Sequence, residues 1–180
     1  MTDDYDAVVY DLDGTLLRLD VDWDAVAREV AAALRARDVD VDGDLWAMLE
    51  GSNETGHRRL VEEIITDHER EGARTSKRLP LADELPCDLP VGVCSLNAES
   101  ACRIALEVHG LDGYVGAVVG RDSVGTTKPD PEPLLATLSK LGVDSREVLF
   151  VGDSERDAET ADRAGVDFEY AGQWLDRRRA

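Results

Sequence analysis

The chain has 180 residues, enough for one hydrophobic core with a modest insertion. Its 39 acidic residues outnumber 20 Lys plus Arg and give a formal net charge of −19. A field of that sign repels nucleic acid and anionic membranes, so we exclude both as partners. Abundant carboxylates with few lysines also suit a protein dissolved in concentrated salt, and we therefore expect a halophilic source.

No apolar run reaches the roughly 20 residues that a membrane-spanning helix needs. The N-terminus lacks the basic and apolar segments of a secretory signal, which favours a cytoplasmic protein. The three cysteines, Cys87, Cys94 and Cys102, have no CxxC spacing, so we expect neither a disulfide framework nor a zinc site.

The first predicted element is a strand, because residues 7–10 form an unbroken apolar run typical of strands buried on both faces of a sheet. A helical segment follows it, and we assign residues 17–85 to a small helical cap inserted after this strand. Trp23 and Trp46 are expected to fill the core of the cap. The predicted cap elements are helices over 22–37 and 44–71, the second interrupted at 51–56, and a proline-rich return linker over 75–90.

Strands and helices alternate through the rest of the chain. This alternation predicts a doubly wound, Rossmann-like α/β core with a parallel sheet, made of residues 1–16 and 86–180. In such sheets ligands bind beyond the carboxyl ends of the strands. The predicted elements are strands over 91–94, 117–120 and 148–151 and helices over 99–109, 131–141 and 155–164.

Two carboxylates, Asp11 and Asp13, directly follow the first strand. In extended backbone both side chains point to the same side, where they repel each other unless a divalent cation or a shared proton relieves them. Gly14 then permits a sharp turn, and Thr15 offers a hydroxyl. A surface turn or a helix cap remains the alternative for this segment taken alone.

Polar residues also follow the later strands. Asp153 and Asp157 supply the hard oxygen ligands that Mg²⁺ prefers, although Ser154 is equally placed to cap the next helix. Lys128 lies in a proline-flanked loop before a helix N-terminus, a combination that favours anion binding. Ser95, taken alone, is explained as well by a helix cap as by a ligand contact.

In combination, these motifs resemble the haloacid dehalogenase-like (HAD) hydrolase superfamily. Residues 11–15 match its DxDGT motif throughout, and Lys128 precedes the Pro-x-Pro sequence common in its third motif. Ser95 matches the second motif, but Leu96 stands where the family often has Asn. The segment from Asp157 to Gly165 resembles the phosphoglycolate-phosphatase-like branch.

The resemblance implies a Mg²⁺-dependent phosphatase acting on a small phosphorylated metabolite, with phosphoglycolate as the nearest guess. Asp11 would attack phosphorus, and Asp13 would act as general acid and then as general base. The metal would lie between Asp11, Asp153 and the main-chain carbonyl of Asp13. The other implied site residues are Thr15, Ser95, Leu96 and Lys128 as phosphate ligands, with Gly14, Asn97 and Asp157 in support.

The helical segment itself resembles a small cap, which would close over the site and supply specificity. Cap residues that could meet substrate are Arg18, Asn53, His57 and Arg58. Two alternatives stay open. A sugar-phosphate mutase would share Asp11 and Asp13, and a binding or regulatory module without catalysis would have no need for the full charged set.

Overall fold

The structure, a computed structural model, describes residues 5–85, 87–143 and 147–179. Within these ranges no helix is long and apolar enough to cross a membrane. The described strands are β1 (Ala7–Tyr10), β2 (Leu17–Arg18), β3 (Lys77–Arg78), β4 (Val91–Cys94), β5 (Ala117–Val119), β6 (Val148–Gly152) and β7 (Asp167–Tyr170). The described α-helices are α1 (Trp23–Arg35), α2 (Leu45–Gly51), α3 (Arg58–Arg74), α4 (Glu99–Val108), α5 (Glu132–Leu141), α6 (Glu155–Ala164) and α7 (Ala171–Arg179).

A parallel sheet of five strands forms the centre of the molecule, in the order β5–β4–β1–β6–β7. In its middle, Val9 of β1 pairs with Gly92 on one side and with Phe150 on the other. Every residue of β1, β4, β5 and β6 is buried, since helices cover both faces. Burial on both faces is why these strands are unbroken apolar runs. The predicted doubly wound α/β fold is confirmed.

Each face of the sheet has its own apolar cluster. On one face, Tyr10 and Val93 pack with Leu106 of α4 and Trp174 of α7. On the other face, Val9 and Phe150 pack with residues of α5 and α6, which include Leu134 and Ala161. Helices therefore hold the strands from both sides and leave the carboxyl edge of the sheet open to the loops.

Helices α1, α2 and α3 pack around a third apolar cluster, separate from the sheet. Aliphatic side chains fill it, among them Val30 of α1, Met48 of α2 and Ile65 of α3. The prediction that Trp23 and Trp46 fill this core needs correction. Trp23 is only partly buried against the cluster, and Trp46 at the start of α2 is 39% exposed, because the aliphatic residues already occupy the interior.

The last two elements, β7 and α7, have no counterpart in the sequence-based prediction. The sequence of β7, Asp-Phe-Glu-Tyr, is polar at alternate positions because this strand lies at the edge of the sheet and is only half covered. Helix α7 carries three arginines in its last turn and buries a single described residue, Trp174. Neither segment has the continuous apolar signal that identifies the central strands.

Candidate active site

A cavity of about 380 Å³ opens at the carboxyl ends of the central strands. Its wall includes the polar residues that follow β1, β4 and β6, as expected for a parallel sheet. Two tryptophans from the helical segment, Trp23 and Trp46, complete one side. The lining residues are Asp11, Asp13, Trp23, Trp46, Ser95, Leu96, Asn97, Lys128, Asp153, Ser154, Arg156 and Asp157.

A buried cation and two carboxylates form the base of the cavity, and we call Asp11, Lys128 and Asp157 the lysine cluster. Lys128 Nζ donates to Asp11 Oδ1 at 2.9 Å, to Asp157 Oδ1 at 2.5 Å and to the Cys94 carbonyl at 3.2 Å. All three protons of the ammonium group are thus used. The lysine side chain is 2% exposed, so the loop before α5 places it as a fixed charge rather than a mobile one.

Burial sets the protonation behaviour of this cluster. Burial, with a smaller contribution from the Asp157 carboxylate, raises the pKa of Asp11 to about 6 against the opposing effect of the Lys128 charge. Burial alone would lower the pKa of Lys128, but Asp11 and Asp157 raise it overall, so the ammonium stays charged. Asp11 is therefore a carboxylate held out of water against a permanent positive charge.

The turn after β1 brings Asp13 and Asp153 to the same wall. Gly14 has φ +93°, and a Cβ at this position would lie 2.0 Å from Asp153 Oδ2. Only glycine allows both the backbone conformation and the close approach of the carboxylate. Asp13 Oδ1 accepts a hydrogen bond from Leu19 N at 3.0 Å, which orients that side chain. Burial raises the pKa of both Asp13 and Asp153.

Three carboxylates come close enough to hold a metal ion. Asp11, Asp153 and Asp157 each offer an oxygen within 4.8 Å of the other two. Asp157 is already engaged, since Lys128 occupies Oδ1 and Ser154 donates its N–H and its hydroxyl to Oδ2. The same Ser154 hydroxyl accepts from Asp157 N as the N-terminal cap of α6. Because Asp157 is engaged by these contacts, Asp11 and Asp153 are the better metal ligands, and Asp157 supports the site. Their hard oxygen donors fit Mg²⁺.

The loop after β4 is fixed by a second buried ion pair, and we call Glu69, Arg121 and Asn97 the arginine cluster. Glu69 of α3 is fully buried, and each of its oxygens accepts two hydrogen bonds. The donors are Asn97 Nδ2 and Arg121 Nη1 on Oε1, and Ala98 N and Arg121 Nη2 on Oε2. Asn97 in turn contacts Ser95, whose hydroxyl donates to Asn97 Oδ1 at 3.2 Å. The arginine cluster thus connects the helical segment to the Ser95 loop.

The residues that line the cavity fall within a region similar to a known protein family. A profile of the haloacid dehalogenase-like hydrolase family matches residues 8–171, a range that contains every residue lining the cavity. The chain belongs to the HAD-like hydrolase family. The resemblance carried by the DxDGT motif and Lys128 is therefore confirmed at the level of the family.

Phosphatases of this family align with most of the chain. A phosphoglycolate phosphatase from Aquifex aeolicus is 29% identical over 175 residues, which cover 88% of this chain and 81% of that protein. An N-acetylmuramic acid 6-phosphate phosphatase from Pseudomonas aeruginosa is 31% identical over 178 residues, which cover 89% and 78%. A phosphoglycolate phosphatase from Rhodospirillum rubrum is 46% identical over 76 residues, but these span only 42% of this chain and 32% of that enzyme.

Solved HAD structures share the fold. A HAD-superfamily hydrolase from Geobacter sulfurreducens is 26% identical, with a TM-score of 0.59 over 91% of this chain and 88% of that one. CbbY from Rhodobacter sphaeroides, solved in complex with phosphate, is 17% identical, with a TM-score of 0.65 over 92% and 85%. The second likeness concerns the fold alone.

The structure brings most of the residues singled out from the HAD motifs to the cavity, but Gly14 and Thr15 do not line it. Thr15 is 2% exposed, and its Oγ1 has no hydrogen-bond partner within the described ranges. Among the cap candidates, Arg58 lines an adjoining cavity and pairs with Glu62. Arg18 and Asn53 are exposed and His57 is half-buried, and none of the three lines the cavity.

Sequence reasoning missed Glu69 and Arg121, although each carries a local signal. Glu69 falls on the buried face of α3, four residues after Ile65 and four before Ala73. A carboxylate on an apolar stripe must find a partner, because an unpaired buried charge is very costly. Arg121 lies just beyond β5, at the same edge of the sheet as the other polar clusters. The pairing itself spans 52 residues, so no short motif reveals it.

Proposed function

We propose that the protein is a Mg²⁺-dependent phosphatase that hydrolyses a small phosphorylated metabolite through an aspartyl-phosphate intermediate. Its class, a phosphoric monoester hydrolase, follows from the family and from the phosphatases related to it over most of its length. The observation that carries the mechanism is the buried Asp11, paired with Lys128 at the base of an open cavity. A desolvated carboxylate whose orientation is fixed by a neighbouring cation is a competent nucleophile.

In the first step, a carboxylate oxygen of Asp11 bonds to phosphorus while the ester P–O bond breaks. The leaving alkoxide needs a proton, and Asp13 supplies it from the same wall of the cavity. The raised pKa of Asp13 supports this role, because a carboxyl group that is readily protonated can act as an acid. The products of this step are the free alcohol and an acyl phosphate on Asp11.

In the second step, water attacks phosphorus and the acyl phosphate bond breaks, which regenerates Asp11 and gives inorganic phosphate. Asp13, now a carboxylate, takes the proton from the attacking water. In this proposal Lys128 contributes fixed positive charge beside Asp11, and phosphoryl oxygens would replace its contact with the Cys94 carbonyl and the contact of the Ser95 hydroxyl with Asn97. The main-chain N–H of Leu96, which also lines the cavity, would be a further donor. Fixed donors of this kind stabilise charge that spreads over those oxygens as the bond breaks.

Asp11, Asp153 and the main-chain carbonyl of Asp13 would hold Mg²⁺, with Asp157 behind them. The ion would neutralise charge on the phosphoryl group and on the carboxylates, which matters in a protein of net charge −19. In the proposed enzyme, residues 17–85 form a cap over a core of residues 1–16 and 86–180, as the sequence predicts. We place the activity in the cytoplasm of a salt-adapted cell, a setting that the acidic composition suits.

The test is hydrolysis of p-nitrophenyl phosphate with Mg²⁺ by the wild type and by Asp11→Asn. We expect the variant to lose at least about 10³-fold in kcat, because it lacks the nucleophile. Acid-quenched wild type should carry phosphate on the peptide that contains Asp11, and the variant should not. Asp176→Asn, an exposed carboxylate on α7, is the matched control and should retain full activity. Equal rates in wild type and Asp11→Asn would contradict the assignment.

Two outcomes would favour the alternatives to a phosphatase. Isomerisation of a sugar phosphate without release of inorganic phosphate would identify a mutase, which would share Asp11 and Asp13. Binding of phosphate without turnover of any ester, in the presence of Mg²⁺, would identify a module without catalysis. A panel of phosphorylated metabolites assayed in high KCl covers both cases.

A further inference from the structure

A second cavity of about 230 Å³ adjoins the one that holds Asp11, and we call it the side lobe. The two cavities share four lining residues, so a molecule bound at the phosphate site can extend into the side lobe. The shared residues are Trp46, Leu96, Lys128 and Arg156, and the side lobe adds Leu49, Glu50, Arg58, Arg121, Thr127 and Pro129.

The side lobe differs in charge from the rest of this acidic protein. Among the described residues, four cations and one carboxylate, Glu50, line the side lobe. The neighbouring cavity has four aspartates against two cations, Lys128 and Arg156, which both cavities share. Most of these cations are already paired. Lys128 pairs with Asp11 and Asp157, Arg58 pairs with Glu62, and Arg121 pairs with Glu69 and Glu62. The charge of these three cations is therefore largely balanced by carboxylates of the protein.

Arg156 is the exception among the four cations. It lies in the first turn of α6 and is exposed, and its guanidinium makes no hydrogen bond or ion pair within the described ranges. In a chain with 39 acidic residues, an unpaired arginine at the junction of two cavities is available to an anion from outside. Its planar fork of N–H donors matches a carboxylate, which it can bind through two parallel hydrogen bonds.

An aromatic wall stands at the same junction. The Trp23 and Trp46 rings lie 5.9 Å apart between centroids and are tilted by 45°. Both line the cavity of Asp11, and Trp46 also lines the side lobe. Because Trp46 is 39% exposed, part of its indole ring is accessible to a bound molecule. Large indole faces bind flat or apolar groups such as sugar rings and aryl rings.

We propose that the side lobe is a subsite for the leaving group, and that the substrate class is a phosphomonoester whose alcohol carries both a ring and a carboxylate. Arg156 would bind the carboxylate and Trp46 would contact the ring, while phosphorus lies at Asp11. The four aspartates of the main cavity disfavour a carboxylate there and direct it to the side lobe. This inference rests on the proposed phosphatase function and narrows its substrate beyond a two-carbon ester such as phosphoglycolate.

The experiment compares kcat/KM for matched esters in the presence of Mg²⁺. Phenyl phosphate and 3-carboxyphenyl phosphate share the ring and have leaving groups of similar basicity, so their ratio reports the carboxylate. Benzyl phosphate against ethyl phosphate reports the ring, because their leaving alcohols also have similar basicity. We expect the wild type to prefer 3-carboxyphenyl phosphate over phenyl phosphate, and benzyl phosphate over ethyl phosphate, each by about fivefold or more.

Two variants assign these preferences to residues. Arg156→Gln should lower kcat/KM for 3-carboxyphenyl phosphate about five- to tenfold while phenyl phosphate changes less than about twofold. Trp46→Leu should reduce the preference for benzyl over ethyl phosphate. Arg35→Gln removes the same charge from the exposed end of α1 and should leave both ratios unchanged. Since each ratio is measured within one protein, a general loss of folded enzyme cancels.

The outcomes separate the subsite from the activity itself. Hydrolysis of phenyl and 3-carboxyphenyl phosphate at equal rates, or equal losses for both in Arg156→Gln, would overturn the subsite and leave the phosphatase standing. Failure of the wild type to hydrolyse any of the four esters would overturn the proposed function as well. Equal kcat/KM for benzyl and ethyl phosphate in the wild type would remove the ring from the substrate class, and an unchanged preference in Trp46→Leu would remove Trp46 from the subsite.

Discussion

The lysine cluster and the arginine cluster use the same ingredients at the same edge of the sheet. Each buries one cation against carboxylates, and the exposure of the side chains is similarly low: 2% for Lys128 against 8% for Asp11, and 2% for Arg121 against 0% for Glu69. Both are built from residues distant in sequence. Burial and pairing alone therefore do not distinguish a reactive site from a structural one.

The two clusters differ in how completely their carboxylates are satisfied. Glu69 accepts four hydrogen bonds and faces one guanidinium fork, so its charge is fully used inside the protein. In the lysine cluster one ammonium faces Asp11 and Asp157, with Asp153 close by, and negative charge is left in excess. Excess carboxylate beside an open cavity attracts a metal ion, whereas a saturated ion pair only fixes geometry.

The largest expected effect comes from the same carboxylate-to-amide change in each cluster. Glu69→Gln leaves Arg121 without its main charge partner, because Glu62 alone remains, and should lower the free energy of unfolding by about 3 kcal/mol. Asp11→Asn removes a carboxylate from a site with too many, and should change stability by less than about 1 kcal/mol. Urea unfolding in EDTA measures both values.

A double variant shows whether the lost ion pair explains the first result. Glu69→Leu with Arg121→Met should recover part of the stability that Glu69→Gln loses, since removing both charges removes the unpaired one. Recovery stays incomplete because Asn97 Nδ2 and Ala98 N lose their acceptor. If Asp11→Asn were destabilised as much as Glu69→Gln, the distinction between the clusters would not hold.

This contrast also explains how much the sequence could reveal. The central strands were predictable because their continuous apolar runs report burial on both faces, and Val91–Cys94 matches the expected bounds. Asp11 and Asp153 could be placed at the cavity because they directly follow such strands, and Lys128 because it lies in a short proline-flanked motif before α5. Edge strand β7, whose pattern is polar, and the Glu69–Arg121 pair depend on contacts that form only in the folded chain, so local patterns do not determine them.

The next expected effect concerns the approach of Asp153 to the turn after β1. Gly14→Ala should lower activity about 10²-fold. Its Cβ would lie 2.0 Å from Asp153 Oδ2 and would force that carboxylate to move. Gly56→Ala is the matched control: Gly56 also has a positive φ, +74°, but a Cβ there would meet none of the described residues within 4 Å. Both variants should lose about 1 kcal/mol of stability from backbone strain. Similar activity in the two variants would contradict the role of the Asp153 contact.

Metal binding should act on the lysine cluster alone. Because Mg²⁺ binds the folded protein, a saturating concentration should raise the free energy of unfolding by about 2–3 kcal/mol over the value in EDTA. Asp153→Asn should abolish this increase, while Asp176→Asn, an exposed position on α7, should preserve it. Glu69→Gln should show the same Mg²⁺-dependent increase as the wild type from its lower starting value. A smaller increase there would mean that the two clusters are coupled through the Ser95 loop.

The smallest expected effect is the dependence of stability on KCl. It distinguishes the exposed acidic surface, which salt screens, from the buried arginine cluster, which salt hardly reaches. Raising KCl from 0.1 M to 2 M screens the repulsion among exposed carboxylates of a chain with net charge −19, so stability should rise by about 1 kcal/mol or more. The difference between wild type and Glu69→Gln should stay constant over this range, because salt hardly screens a pair that solvent does not reach. Urea unfolding of both proteins at each KCl concentration gives the two quantities together. Greatest stability near 0.1 M would contradict adaptation to salt, and a difference that shrinks with KCl would mean that solvent enters the arginine cluster.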